Sequence, residues 1–299
     1  MTPPVFTICI PAYRAERFLA ATLGSVRAQT YPHWALVVTE DGSRDRTEEI
    51  VRAFAREVSQ PVRYERHDPN RGLPATRNAA IERAETEWIA LLDADDLWLP
   101  DHLADLVETI ARTGADLVHS GSVLFESDTG ADLELRRPDA AALADFPRSL
   151  HEGRYIIQPA SVALRQELWQ RAGGFDAAFQ HCEDWDMWMR CARVGGKFAY
   201  TGRETCRYRK HAAALSSEAI LMAVGGARAL EKHLDWEQIA PTRRHAEVAQ
   251  HWAAAGRMAL RQAPAEAHEH YTRALAREFR VSWWLRRCAA KVLMSAWRQ

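Results

Sequence analysis

The feature that most constrains this chain is the alternation of short apolar runs with helical segments in its first third. Residues 5–10 form a compact apolar run stopped by Pro11, which reads as a buried strand. Residues 15–28 follow with Phe18, Leu19, Leu23 and Val26 at helical spacing. Residues 34–39 are a second strand. Residues 45–58 are a helix with Asp45 as its cap and Ile50, Val51 and Phe54 on one face. A third strand at 62–65, a helix at 73–84 and a fourth strand at 88–92 bring the chain directly to Asp93. Strands that are apolar along their whole length are buried on both faces. The pattern therefore predicts a largely parallel sheet covered by helices on each side.

Ligands of such sheets bind beyond the carboxyl ends of the strands. Three predicted strand ends carry polar groups here: Pro11-Ala12-Tyr13, Glu40-Asp41-Gly42-Ser43 and Asp93-Ala94-Asp95-Asp96. The topology gathers them along one edge. Clustered carboxylates repel one another, and a hard divalent cation that also binds phosphate oxygens, Mg2+ or Mn2+, offsets that charge. The plain alternative is a solvated acidic turn capping the helix from Pro100. Asp41 reads either as an acceptor for a nucleobase N–H or as part of an Asp-Gly turn. Arg71 and Arg77 flank a helix start, where they either neutralise a diphosphate or, for Arg77, pair with the Asp cluster.

The middle of the chain is less periodic. Residues 116–125 read as one or two strands, and 128–147 as a variable loop with a short helix. A strand at 161–164 leads into a helix through Arg171 that stops at Gly173-Gly174. Glu183-Asp184-Trp185-Asp186 opens an amphipathic helix over 183–194. Acidic residues there are favoured by the helix dipole, as caps or as a general base kept ionised. Residues 198–208 are a strand and turn. Tyr208-Arg209-Lys210-His211 and Ser216 close the domain, and His211 is either a surface histidine or a ligand folded back onto Asp95.

Beyond about residue 217 only helical patterns remain, so the expected division is 1–219 and 220–299. Residues 246–276 have the cadence of a helical hairpin, loosely like a tetratricopeptide unit, with Trp252, Ala255, Leu260, Pro264, Tyr271 and Leu275. One such unit cannot bury its own face, which predicts packing on the first domain. Residues 280–299 combine Trp283, Trp284, Leu285, Val292 and Trp297 with Arg280, Arg286, Arg287, Lys291 and Arg298. A basic, Trp-rich helix suits an anionic membrane surface. A core-packing helix or a homodimer contact is the alternative.

Composition narrows the function classes. A net charge of −1 lacks the basic footprint of a nucleic-acid binder, so no nucleic-acid partner is expected. The five cysteines are widely spaced with no C-x-x-C pair, which argues against a disulfide framework and for a reducing compartment. The first residues lack a signal-peptide pattern, and no apolar run approaches the roughly eighteen residues of a membrane span. The expectation is a cytoplasmic chain, at most touching the inner face of the plasma membrane.

Taken in order, these segments resemble the family 2 inverting glycosyltransferases of the GT-A fold. The opening 6–13 resembles that family's first strand and P-x-Y turn, and 40–47 its D-D-G-S-x-D-x-T segment. Residues 70–78 resemble N-x-G-x-x-x-A-R-N, 91–96 resemble L-D-x-D-D, and Gly173-Gly174-Phe175-Asp176 with Glu183-Asp184-Trp185 resembles the later G-G-F-D…E-D pair. The resemblance spans about residues 4–216 and implies a Rossmann-like, mostly parallel α/β sheet with a helical C-terminal appendage. It implies that Tyr13 stacks on a nucleobase held by Asp41, with Pro11, Ala12, Glu40, Arg71, Arg77 and Ala94 around the donor nucleotide. Asp93 would meet the ribose, and Asp95 would ligate Mn2+ or Mg2+ bridging the diphosphate, with His211 completing the metal site. Asp184 would deprotonate the acceptor hydroxyl, with Glu183, Trp185 and Arg209 beside it.

The implied donor is a UDP-, dTDP- or GDP-sugar, and the acceptor a saccharide or a lipid-linked saccharide. Two departures stand out: Glu40 occupies a position where Asp is usual, and the match at 208–211 is short. A sugar-phosphate nucleotidyltransferase is the enzymatic rival, but it needs a Gly-rich loop where this chain has Pro11-Ala12-Tyr13-Arg14. A catalytically silent nucleotide-sugar-binding protein is the other rival, and the presence of Asp184 argues against it.

Overall fold

The structure is a computed structural model, and residues 6–212 and 214–296 are described here. Val5, at the start of the first predicted strand, and Trp297 and Arg298 lie outside the described residues. The chain divides into two compact units. One comprises Met1–Gln180 and Met187–His211, and the other His181–Asp186 and Ala212–Gln299.

The first unit opens with β1 (Phe6–Ala12), α1 (Leu19–Arg27), β2 (Trp34–Glu40), α2 (Thr47–Phe54), β3 (Val62–Arg66), α3 (Leu73–Glu82) and β4 (Trp88–Leu91). β3, β2, β1 and β4 lie side by side and all parallel. Every residue of β1 and β4 is buried, as a sheet covered on both faces requires. Phe6, Ile8 and Ile10 pack with Leu19, Leu23 and Val26 of α1, while α3 covers the opposite face. α1 and α2 begin later than their apolar spacing predicts. At α2, Asp45 accepts the N–H groups of Thr47 and Glu16, so its carboxylate holds the entry to the helix from outside it.

The second half of the sheet is antiparallel and mixed. After β5 (Leu97–Trp98) and α4 (His102–Thr113) come β6 (Leu117–Glu126), β7 (Asp132–Arg136), α5 (Ala140–Ala144), α6 (Arg148–His151), β8 (Val162–Arg165) and α7 (Gln166–Ala172). α8 (Glu183–Arg193) and β9 (Phe198–Lys210) follow. The order is β3-β2-β1-β4-β8-β6-β9-β5, with β7 on the side of β6. Two strands escaped the sequence pattern. β5 has two residues, too few for a period, and β7 lies in the expected loop with its side chains mostly in solvent.

The second unit contains the first turn of α8 and the helices α9 (Ala219–Lys232), α10 (Pro241–Ala259), α11 (Pro264–Arg277) and α12 (Val281–Ala296). α10 and α11 form the hairpin that the sequence suggests, and α9 and α12 pack against it on either side. Its apolar face, with Val248, Trp252, Ala255 and Tyr271, is thereby buried within this unit. No described helix is long and apolar enough to cross a membrane.

Candidate active site

The parallel register aligns the strand ends. Ala12 pairs with Glu40 across β1 and β2, and Leu92 N–H bonds Cys9 O as the chain leaves β4. The polar residues that follow each strand therefore share one edge. Tyr13 projects there with its ring exposed, and the Arg14 guanidinium lies 5.0 Å from its centroid. Pro11 and Ala12 are buried in the strand.

Asp41 is buried and its carboxylate organises a loop. Oδ1 accepts the Arg71 N–H and Oδ2 the Gly72 N–H, both at 2.8 Å, and His67 Nδ1 lies 2.9 Å from Oδ1. Asn70 adds a bond from its side-chain amide to the Asp41 carbonyl. These contacts present the exposed Arg71 beside the strand ends. Gly42 has φ +74°, and a Cβ there would lie 3.1 Å from Asn70 N, so the close approach of this loop requires glycine. Glu40 is also buried, and accepts hydrogen bonds from Ser43 and Tyr64. Its longer side chain thus reaches partners within the protein.

At the end of β4, Asp93 Oδ1 accepts a bond from Arg77, which α3 carries fully buried, at 2.8 Å. Ala94 O accepts the Thr22 hydroxyl of α1. Asp96 is buried and accepts the Arg209 N–H at 2.8 Å. Burial first, then the charges of Asp95 and Asp93, push its carboxyl well above the usual carboxylate range.

β9 delivers the remaining groups. Leu97 pairs with Arg207 and Trp98 with Cys206 in antiparallel register, so 93–96 must face 208–211. Arg209 Nε donates to Asp95 O at 2.6 Å, and its guanidinium sits between the rings of Phe18 and Phe125. His211 Nε2 then lies 2.9 Å from Asp95 Oδ2, its ring 4.8 Å from that of Phe18. Among the described residues, no three His, Cys, Asp or Glu side chains are arranged to enclose an ion alone. The Asp95 carboxylate nevertheless fits Mn2+ or Mg2+ when diphosphate oxygens and water fill the remaining positions, and an imidazole nitrogen beside it is better suited to Mn2+ than to the harder Mg2+.

The first turn of α8 belongs to the second unit. Cys182 precedes it in the left-handed region at φ 61°, Glu183 is buried and Asp184 half-buried. Asp184 Oδ1 accepts the Trp185 N–H at 2.7 Å. Asp186 is buried between Lys232, the last residue of α9, and His233 just after it, each 3.1 Å away, and Trp185 leans on His251 of α10. Gly226 allows this packing, since a Cβ there would meet both His251 and Trp185.

Three residues absent from the expected site help to build it: His67, Asn70 and Asn78. Asn78 binds both backbone polar groups of Phe175 in the Gly173–Asp176 turn. Its local signals are its place as the last residue of the N-x-G-x-x-x-A-R-N segment and an amide side chain adjoining Arg77 in a largely apolar helix.

Known structures share this architecture. TarS of S. aureus superimposes with a TM-score of 0.68 at 16% identity, over 91% of this chain and 48% of its own. Its 1–349 form was solved in complex with UDP-GlcNAc. The mannosyltransferase PcManGT from Pyrobaculum calidifontis, solved with GDP-Man and Mn2+, gives 0.65 at 20% identity over 99% of this chain and 86% of its own. At such identities the likeness is one of fold, and that fold is GT-A. TuaG of Bacillus subtilis (strain 168), a glycosyltransferase named for teichuronic acid biosynthesis, is 27% identical over 176 residues. That alignment covers 55% of this chain and 69% of TuaG, so the chain spans about two thirds of TuaG and about half of TarS. The sequence profile of Glycosyl transferase family 2 matches residues 7–169, more than half of the 299 residues and ending before Asp184 and His211. With the strand-end motifs inside that match, the chain belongs to glycosyltransferase family 2.

Proposed function

We propose that this chain transfers a sugar from a nucleoside-diphosphate donor to an acceptor hydroxyl in one inverting displacement that depends on Mn2+ or Mg2+. The observation that carries the reading is the 2.9 Å approach of His211 to Asp95 across 116 residues of sequence, at the strand edge that also bears Tyr13, Arg71 and Asp93. Complexes of TarS with UDP-GlcNAc and of PcManGT with GDP-Man and Mn2+ support a nucleotide-sugar donor and a divalent cation. The name of TuaG supports a saccharide acceptor in bacterial surface-polysaccharide synthesis, free or lipid-linked.

The exposed Tyr13 ring offers a stacking face for the base, and the loop pinned by Asp41 forms the wall beside it. Asp93, held by Arg77, accepts from the ribose. Asp95 and His211 hold the cation, which when bound supplies positive charge against the departing diphosphate. Arg71 adds a guanidinium on the same side. Inversion needs attack from the face opposite the leaving group. Asp184 serves as the base for that attack: it sits in the first turn of α8, where the helix dipole favours the ionised carboxylate.

The experiment is calorimetric titration of UDP and GDP with and without Mn2+, alongside transfer assays. Asp95→Ala loses Mn2+-dependent nucleotide binding. Asp184→Asn keeps that binding and loses about 10²–10⁴-fold in transfer. Full transfer by the Asn variant removes Asp184 as the base. Binding without turnover on any saccharide or lipid-linked acceptor would favour a silent binding protein instead.

A further inference from the structure

α12 has two apolar faces, and the hairpin uses one. Trp283 and Ala290 point inward and are buried, closing the helical array of the second unit. Successive turns of the opposite face carry Val281, Leu285, Cys288 and Val292, with Trp284 and Ala289 beside them. Val281, Leu285 and Val292 are 61%, 54% and 70% exposed, and Phe279, just before the helix, is 69% exposed. No other described stretch of this length leaves so many large apolar side chains in solvent. A single exposed leucine needs no explanation, but a contiguous apolar stripe does.

The charges on α12 flank that stripe. At about 100° per residue, Lys291 and Arg287 fall on one side of it and Arg286 on the other, and the helix has no acidic residue. An apolar strip bordered by cations, on a helix with no acidic residue of its own, is complementary to an interface that is negative at its surface and apolar just beneath it. A protein partner would need a matching apolar groove ringed with carboxylates. A bilayer of anionic lipid presents both properties everywhere.

We infer that the outward face of α12, with Phe279, docks this protein on an anionic lipid surface, lying in the headgroup plane. The inserted side chains are Phe279, Val281, Trp284, Leu285 and Val292, and Arg286, Arg287 and Lys291 meet the lipid phosphates. No described helix is able to span a bilayer, and the proposed contact is that of a helix lying on the surface. The inference is independent of the donor chemistry at Asp95, so either can fail without the other.

The test is co-sedimentation of the full chain with vesicles of phosphatidylcholine alone and of phosphatidylcholine with phosphatidylglycerol. The wild type pellets with the anionic vesicles, and added salt weakens the binding. Leu285→Ser with Val292→Ser lowers partitioning by about a hundredfold, because each inserted aliphatic chain contributes roughly tenfold. Arg286→Gln with Lys291→Gln also weakens binding and flattens its salt dependence. The serine pair lies in solvent, so circular dichroism and an unchanged melting temperature establish that it is folded. Failure of the wild type to pellet with anionic vesicles overturns the inference, as does equal pelleting by the folded serine variant. If the wild type ignores vesicles and the serine pair instead converts a dimer to a monomer in gel filtration, the face belongs to a second copy and the lipid proposal is wrong.

Discussion

Asn78 holds the backbone of Phe175 through both of its side-chain polar atoms: Oδ1 accepts the Phe175 N–H at 2.8 Å and Nδ2 donates to its carbonyl at 2.7 Å. The adjacent Arg77 stacks on the Phe175 ring at 5.0 Å while bonding Asp93. One turn of α3 thus joins the Gly173–Asp176 turn to the carboxylate at the end of β4. Gly174, at φ +69°, leaves room for this, since a Cβ there would sit 3.2 Å from Asn78 Oδ1.

Asn78→Ala is expected to lower stability by about 2–4 kcal/mol, because it leaves two partly buried backbone groups without their partner. Asn78→Asp keeps the acceptor, loses the donor and costs less. Urea denaturation reads both, and an unchanged midpoint for the alanine variant would show that water replaces the side chain without penalty.

Arg77→Lys keeps the charge and loses the planar fork and the ring stacking. Asp93 then loses its fixed orientation, and nucleoside-diphosphate affinity is expected to fall roughly tenfold, as a charge-assisted bond is worth about 1.5–3 kcal/mol. Calorimetry with Mn2+ present measures it. Wild-type affinity in this variant would separate Asp93 from donor binding.

Two glycine substitutions should move in opposite directions. Gly42→Ala forces a side chain into the left-handed region against Asn70 N and His67 O, and should cost about 1–3 kcal/mol while weakening nucleotide binding through the Arg71 loop. Gly24→Ala lies within α1 with nothing within 4 Å of its Cβ, and should add about 0.5–1 kcal/mol. Melting temperatures of the two variants check the pair, and a common sign would contradict the backbone argument.

Acid should destabilise the fold through its buried histidines. Burial lowers His119 to about 4 and His102 to about 3. The unfolded chain takes up these protons near pH 6.5 and the folded chain does not. Stability therefore falls as pH drops from about 6.5 toward 4, by up to about 1.4 kcal/mol per pH unit for each histidine. The raised Asp96 carboxyl has the opposite slope over part of this window, so the clean measurement is a difference. Against the wild type, His119→Gln should show a shallower loss of melting temperature on acidification. Parallel curves would show that His119 does not contribute.

β1, β2 and β4 and their polar ends were legible because each is a local pattern: an apolar run, then Tyr13, Asp41 or Asp93 where it stops. Burial on both faces writes that pattern directly into consecutive residues, and it dictated the parallel half of the GT-A sheet. β5 and β7 left no such trace, the first being too short and the second too exposed. The approach of His211 to Asp95 depends on the antiparallel register of β5 with β9, and the hold of Asn78 on Phe175 on where a turn 97 residues later comes to rest. α12 is the clearest division between the two kinds of information. Its composition established a basic helix rich in tryptophan and aliphatic residues. Only packing against the hairpin decided that Trp283 turns inward and Trp284 outward, because a helix apolar on two sides does not specify which of them its neighbours will cover.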